Sequence, residues 1–411
     1  MARIIGYTLL KPGHFYSFIP ILAELRKRGH HVLLATLGEA NGQPSNVGGV
    51  DIRVKQWSLP SSAPGLDTLA QYGEPMAAAL EDFIAQESPD LIVSDPMLWG
   101  GMAAAEASGL PWASVAYTPK LFRAINLDVR GPGLRPPRGL FGLLAHRCIE
   151  AALRDRHRSF LPLLNAVRTA RGLPNLSHPW DWFHLPPLTI ATTAEPFEYP
   201  RTDWHPSLRF VGPLEWEPIA DPPGWLNELD DRPLILLVGS SIPETGPAQY
   251  WVRTALQVLA DEPYQVVATL PTENIPESLA GNIRVVRFAP HGLLLPRAAC
   301  VICHGGPGIT QKALAAGVPV LAVPFAYDRF EVARRVEVAG AGVMVPGSRL
   351  TRARMKGAVR RTIKCRPGAQ RIAEAFRQAG GAVAAADALE QMLVRGAARP
   401  WICSTARAAP T

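Results

Sequence analysis

His304-Gly305-Gly306-Pro307-Gly308-Ile309-Thr310, followed by Ala313-Leu314, Gly317-Val318-Pro319, the apolar run Val320-Leu321-Ala322-Val323-Pro324 and Asp328, decides the fold. Three glycines in four positions let backbone amides approach a ligand closely. The helix that starts behind them aims its free N–H groups and the positive end of its dipole at the same point. A glycine loop between a buried strand and a helix, with another buried strand beyond, is how an open α/β sheet cradles an anion. The stretch suits a diphosphate.

Upstream of this loop, Leu234–Val238, Gln265–Ala268, Arg284–Phe288 and Cys300–Cys303 read as strands alternating with helices, and Val320–Val323 continues the series. The first half repeats the pattern. Ile4–Tyr7 reads as a strand, and Phe18–Arg28 as a helix with Phe18, Ile21, Leu22 and Leu25 on one face and Gly29 as its stop. His31–Thr36, Leu91–Val93 and Trp112–Ala116 read as strands, and Met102–Ala107 as a helix. Both halves are therefore doubly wound α/β units with parallel sheets.

The length of 411 residues, 47% of them apolar, also requires two cores. Val211-Gly212-Pro213-Leu214-Glu215-Trp216-Glu217-Pro218 and Asp221-Pro222-Pro223 have linker composition, which divides the chain into 1–218 and 219–382, with a last helix over 383–395 and a loose tail over 396–411. Between Leu121 and Pro187 the pattern loosens into helices with proline joints and the aromatics Phe122, Phe141, Phe160, Trp180, Trp182 and Phe183. These form either an apolar ligand wall or the packing of a helical subdomain.

The formal net charge of +7 is spread over short stretches, which fits small anionic ligands and argues against a nucleic-acid partner. No apolar run approaches the roughly 20 residues that span a bilayer, and Met1–Leu10 is too short for a signal peptide, so stable membrane insertion is not expected and a cytoplasmic location is. Five cysteines, an odd number, fit reduced thiols. Cys300-Val301-Ile302-Cys303-His304 has the spacing of covalent haem attachment, but that chemistry needs an exported chain, and here the thiols fall inside an apolar strand. Zinc lacks a second ligand pair. A nicotinamide dehydrogenase lacks G-x-G-x-x-G after the first strand, and the P-loop signature is absent as well.

Ligands of open α/β sheets bind beyond the carboxyl ends of the strands. His14, in Lys11-Pro12-Gly13-His14, follows the first strand, and Asp95 follows Leu91–Val93. As a base and its orienter they would accept a hydroxyl proton; as a loop histidine and a turn-forming aspartate they would do no chemistry. Ser240 and Ser241 follow Leu234–Val238 and offer hydroxyls to the edge that carries His304.

In combination, Gly13-His14, Asp95, Val211-Gly212-Pro213, Gly239-Ser240, Phe288-Ala289-Pro290-His291, His304-Gly305-Gly306-Pro307-Gly308, Gly317-Val318-Pro319 and Asp328 resemble the GT-B glycosyltransferases of family 1 over nearly the whole chain. That family includes plant secondary-metabolite and bacterial antibiotic and macrolide enzymes. The resemblance implies two Rossmann-like domains facing across a cleft, with the last helix packing back on the first. It implies an inverting, metal-independent hexosyl transfer from a dTDP- or UDP-sugar to a hydroxyl of a hydrophobic natural product. The nucleotide-sugar is the substrate, and no cofactor is implied.

By this resemblance His14 is the general base and Asp95 its partner. Phe288 stacks on the nucleotide base, Ala289 supplies backbone contacts, and His291 stands where glutamine is common. Ser240, Ser241, His304, Gly306, Gly308, Ile309 and Thr310 surround the diphosphate, while Asp328 and Arg329 meet the sugar. Met97, Trp99, Phe122 and Trp182 wall the acceptor pocket.

Three departures stand out: Ile309 for a phosphate-binding Thr or Ser, with Thr310 adjacent to substitute; Lys312 for a ribose-binding Glu; and Arg329 for a Gln. A lysine cannot accept hydrogen bonds from ribose, which favours dTDP, unless Lys312 and Arg329 are simply solvated helix residues. The alternatives are a non-catalytic glycosyltransferase-like partner protein and an envelope or lipid glycosyltransferase. A homodimer is left open.

Overall fold

The computed structural model describes residues 1–39, 45–57, 71–117, 133–137, 139–156, 158–179, 181–218, 220–240, 250–270, 280–325 and 328–396. The first sheet contains β1 (Arg3–Leu9), β2 (His31–Gly38), β3 (Asn46–Val47), β4 (Val50–Gln56), β5 (Leu91–Ser94), β6 (Trp112–Ala116), β7 (Leu188–Ala191) and β8 (Leu208–Phe210), in the order β3-β4-β2-β1-β5-β6-β7-β8. Neighbours run parallel except β3 and β4, an antiparallel pair at the edge.

The second sheet contains β9 (Leu234–Val238), β10 (Gln265–Thr269), β11 (Ile283–Val286), β12 (Ala298–Cys303), β13 (Val320–Ala322) and β14 (Gly342–Met344), all parallel, in the order β11-β10-β9-β12-β13-β14. β3, β4, β7, β8 and β14 go beyond the strands expected from sequence. All but β4 have two to four residues, too few to establish a period. The central strands are buried along almost their whole length because helices cover both faces.

The helix Phe18–Lys27 shows how the halves join. Its Phe18, Ile21, Leu22 and Leu25 are completely buried, each worth about 1.5–3 kcal/mol of transfer free energy. They share a cluster with Ala385, Ala386, Ala388, Leu389 and Met392 of the last helix, Gly381–Arg395, which crosses back onto the first sheet. Small alanines permit that close approach. The guanidinium of Arg28 then reaches Asp387 at 2.6 Å and Glu390 at 2.8 Å. Close packing also explains Gly6 in β1, where a Cβ would fall 2.9 Å from Leu34 and 3.0 Å from Leu22.

A second junction is ionic. Arg335, in the helix Arg329–Val338, meets Glu198 at 2.7 Å and Glu331 at 3.0 Å, all three side chains being buried. Glu331 also accepts the Gly133 N–H at 3.0 Å, and Arg334 donates to the Gly133 carbonyl at 2.7 Å. Among the described residues no helix is long and apolar enough to cross a membrane.

Candidate active site

In the first sheet the strand order reverses between β1 and β5, so the loops leaving them diverge and open a crevice. His14 lies in the short turn Pro12–Phe15 after β1, and Asp95 directly after β5. Tyr7 pairs with Ser94, and Ser94 with Ser114, which sets Asp95 between Thr8 of β1 and the end of β6.

The Asp95 carboxylate is completely buried. Its Oδ2 accepts from His14 Nδ1, Thr8 Oγ1 and Tyr117 OH, each at 2.7 Å, and its Oδ1 accepts the Met97 N–H at 2.8 Å. Burial pushes the carboxyl up, but the His14 ring and the Met97 and Tyr117 donors outweigh it and hold the acid below its ordinary range. An ionised carboxylate only accepts, so the proton of neutral His14 sits on Nδ1 and Nε2 keeps a free lone pair. Tyr117 also stands edge-on to the imidazole, at 5.2 Å and 86°.

The second sheet has its own reversal, between β9 and β12. Ser240 follows β9 and the glycine loop follows β12. Gly305 has φ +83°, and a Cβ on Gly306 would lie 2.4 Å from His304 Nε2, so the ring is laid against the loop. At Gly308 a Cβ would meet nothing within 4 Å, so the start of the Pro307–Ala315 helix faces open space. The N-cap residue, Gly306, has no side chain with which to cap that N-terminus.

Burial, and then Arg329, push the His304 ring down to about 4 against the opposing pull of Asp328, so it is neutral at pH 7. Its Nδ1 is buried without a hydrogen-bond partner among the described residues. A fixed cation at this edge is Arg329, which is 8% exposed and donates to Ser240 Oγ at 3.2 Å. Thr310 does not take the place of Ile309: it is completely buried, with Oγ1 3.6 Å from Cys303 Sγ. Ile309 packs against the core beneath the sheet. Cys300, also buried, has its thiol pushed up to about 12 by desolvation, which suits an inert packing residue.

Phe288 lies two residues beyond β11 and is 52% exposed, while Ala289 is buried. His291 opens the turn His291–Leu294, with Nε2 2.9 Å from Thr269 Oγ1. Burial, then the charge of Lys312, push it down to about 4. Lys312 is not a solvated helix residue: Nζ is 2.7 Å from Glu217 Oε1 and the side chain is 15% exposed. Arg329 is not solvated either.

The expected acceptor wall needs correction. Met97 is half-buried beside Asp95, but Trp99 and Trp182 are core residues, with close packing partners in place of an open ring face. Phe122, Trp180 and Ser241 lie outside the described residues. Among the described residues, no group of three or more His, Cys, Asp or Glu side chains could hold a metal ion.

Residues 253–386 match the family model of the erythromycin biosynthesis protein CIII-like C-terminal domain. The chain is 32% identical over 314 residues to a PGL/p-HBAD biosynthesis glycosyltransferase of Mycobacterium tuberculosis, covering 73% of this chain and 69% of that protein. The chain belongs to the GT-B glycosyltransferases. This glycosyltransferase is also 28% identical to 4'-demethylrebeccamycin synthase of Lentzea aerocolonigenes, over 95% of its own length and 100% of that enzyme.

Among solved structures, the glycosyltransferase shares its fold with the kitacinnamycin glycotransferase, at a TM-score of 0.78 and 20% identity over 95% of this chain and 99% of that one. It likewise shares the fold of VinC in complex with dTDP, at 0.71 and 23% over 96% and 100%. Sequence reasoning about the glycosyltransferase missed Thr8, Tyr117 and Glu217. Tyr117 alone carried a signal, since it follows a buried strand at the same sheet edge as Asp95.

Proposed function

We propose that the chain is an inverting, metal-independent glycosyltransferase that moves a sugar from a dTDP- or UDP-sugar to a hydroxyl of a hydrophobic small molecule. The His14–Asp95 hydrogen bond of 2.7 Å, at the topological switch of the first sheet, is the observation that carries this reading. In it, residues 1–218 take the acceptor, residues 219–382 take the donor, and residues 383–395 tie the two together.

The acceptor oxygen attacks the anomeric carbon as its proton passes to His14 Nε2. The bond from that carbon to the diphosphate oxygen breaks on the opposite face, so a single displacement inverts the centre. Asp95 stabilises the imidazolium that forms without taking its proton.

The electrons of the breaking bond end on the diphosphate. Three features of the chain meet that charge: the amides of the glycine loop, the helix N-terminus with roughly half a positive charge, and Arg329. Neutral His304 serves as a hydrogen-bonding group. Asp328, next to Arg329, is suited to sugar hydroxyls. The dTDP held by VinC supports the donor class, and the small-molecule acceptor named in demethyllactenocin mycarosyltransferase of Streptomyces fradiae, 25% identical, supports the acceptor class. NMR of the glycoside made from an α-linked donor tests the proposal. The expected product is the β-anomer, formed equally well in excess EDTA; retained configuration or chelator sensitivity would refute it.

A lipid or envelope acceptor is the second reading. It is favoured by Leu140, Phe141 and Leu144, which are 70%, 88% and 47% exposed on the helix Gly139–Arg156. Cosedimentation with anionic liposomes is expected only under that reading.

A further inference from the structure

Between an aromatic ring that takes a base and backbone amides that take a diphosphate, a nucleotide must place its pentose. In this chain that ground lies between Phe288, beyond β11, and the glycine loop, beyond β12. Lys312, on the helix that leaves the loop, and His291, three residues after Phe288, face each other there closely enough to interact electrostatically. The interdomain linker supplies the acidic groups. Leu214 and Trp216 pack into the core of the first sheet, with the Trp216 ring 4.8 Å from that of Tyr16. Glu215 and Glu217, which follow them in turn, come within the field of Lys312.

The two carboxylates are not equivalent. Glu217 is committed: its Oε1 accepts the His291 N–H at 2.7 Å and meets Lys312 Nζ at 2.7 Å, and its Oε2 accepts the Gly292 N–H at 3.0 Å. Glu215 has no hydrogen-bond partner among the described residues, and desolvation, opposed by the charge of Lys312, pushes its carboxyl up to about 7. An ammonium carries three donors, and among the described residues Glu217 is the one carboxylate that Lys312 touches directly. A hydroxyl needs an acceptor for its proton and a donor for its lone pair, and this site holds both with capacity to spare.

We infer that Glu215 of the linker, with Lys312, forms the specificity-determining pair for the pentose hydroxyls of the donor nucleotide. The inference rests on the nucleotide-sugar reading above. It assigns to the linker the acceptor role that a lysine on the helix cannot fill. Glu217 has a positioning role, holding Lys312 and the turn at His291 in place.

Isothermal titration of the full chain at pH 8, where the Glu215 carboxyl is ionised, with UDP and with 2',3'-dideoxyuridine diphosphate tests this. Glu215→Gln is expected to weaken UDP about tenfold, the usual loss for a hydrogen bond to a charged group, and to change the dideoxy nucleotide less than about twofold. Lys312→Met is expected to follow the same pattern. Glu215 makes no hydrogen bond among the described residues, so the variant should keep its melting temperature, which is measured alongside. Equal losses for both nucleotides, or none for UDP, would overturn the assignment and leave the nucleotide-sugar reading intact. A wild-type protein that binds neither nucleotide would overturn both.

Discussion

Tyr117→Phe removes one of four hydrogen bonds on the buried Asp95 carboxylate and leaves those from His14, Thr8 and Met97. A hydrogen bond to a charged group is worth about 1.5–3 kcal/mol. With one donor fewer, the ionised carboxylate loses that much stabilisation, and at about 1.4 kcal/mol per unit the Asp95 carboxyl rises by about 1–2 pH units. At neutral pH the rate should fall less than about tenfold, because the His14–Asp95 bond remains.

Stability carries the same signature. Asp95 is held below its ordinary range, so its contribution is present above about pH 3.9 and is lost as pH falls through the lower folded value. Tyr117→Phe raises that folded value, so acid unfolding should begin at higher pH. Acid melts of wild type and variant, with transfer rates at neutral pH alongside, provide the assay. An acid transition that does not move would reduce Tyr117 to packing, and one shifted to lower pH would contradict the sign of the argument.

Arg329→Gln should lower kcat about a hundredfold with little change in acceptor KM, and Arg329→Lys should fall between; a loss below about threefold would remove Arg329 from charge stabilisation. Gly306→Ala places a methyl 2.4 Å from His304 Nε2, so nucleotide binding measured by calorimetry should weaken at least about tenfold, whereas Gly308→Ala should leave the melting temperature unchanged. Arg335→Met removes the cation that meets the buried Glu198 carboxylate at 2.7 Å, which should cost about 3–5 kcal/mol in denaturant unfolding.

The sequence made the two α/β series legible because their central strands are runs of buried aliphatic residues punctuated by glycine and proline, as at Leu234–Val238 and His304–Gly308. β7 and β8 escaped because three or four residues carry no period, and their burial comes from neighbours remote in the chain. The approach of His14 to Asp95 followed from their places after β1 and β5. Thr8 and Tyr117 did not, because their contact with Asp95 depends on the register among β1, β5 and β6.

Trp99, Trp182 and Thr310 show a different limit. Composition marks an aromatic or a hydroxyl, but which way it points depends on the elements packed around it, and all three point inward. Lys312 read as an isolated anomaly because its partner, Glu217, lies in a distant segment of the chain and comes within 2.7 Å only in the folded protein.

Transfer by His14→Ala, measured against wild type with one donor and one acceptor, tests the central claim most directly. The dyad account expects sugar transfer to fall about 10²–10⁴-fold while nucleotide affinity stays within about twofold. Transfer at the wild-type rate would contradict it.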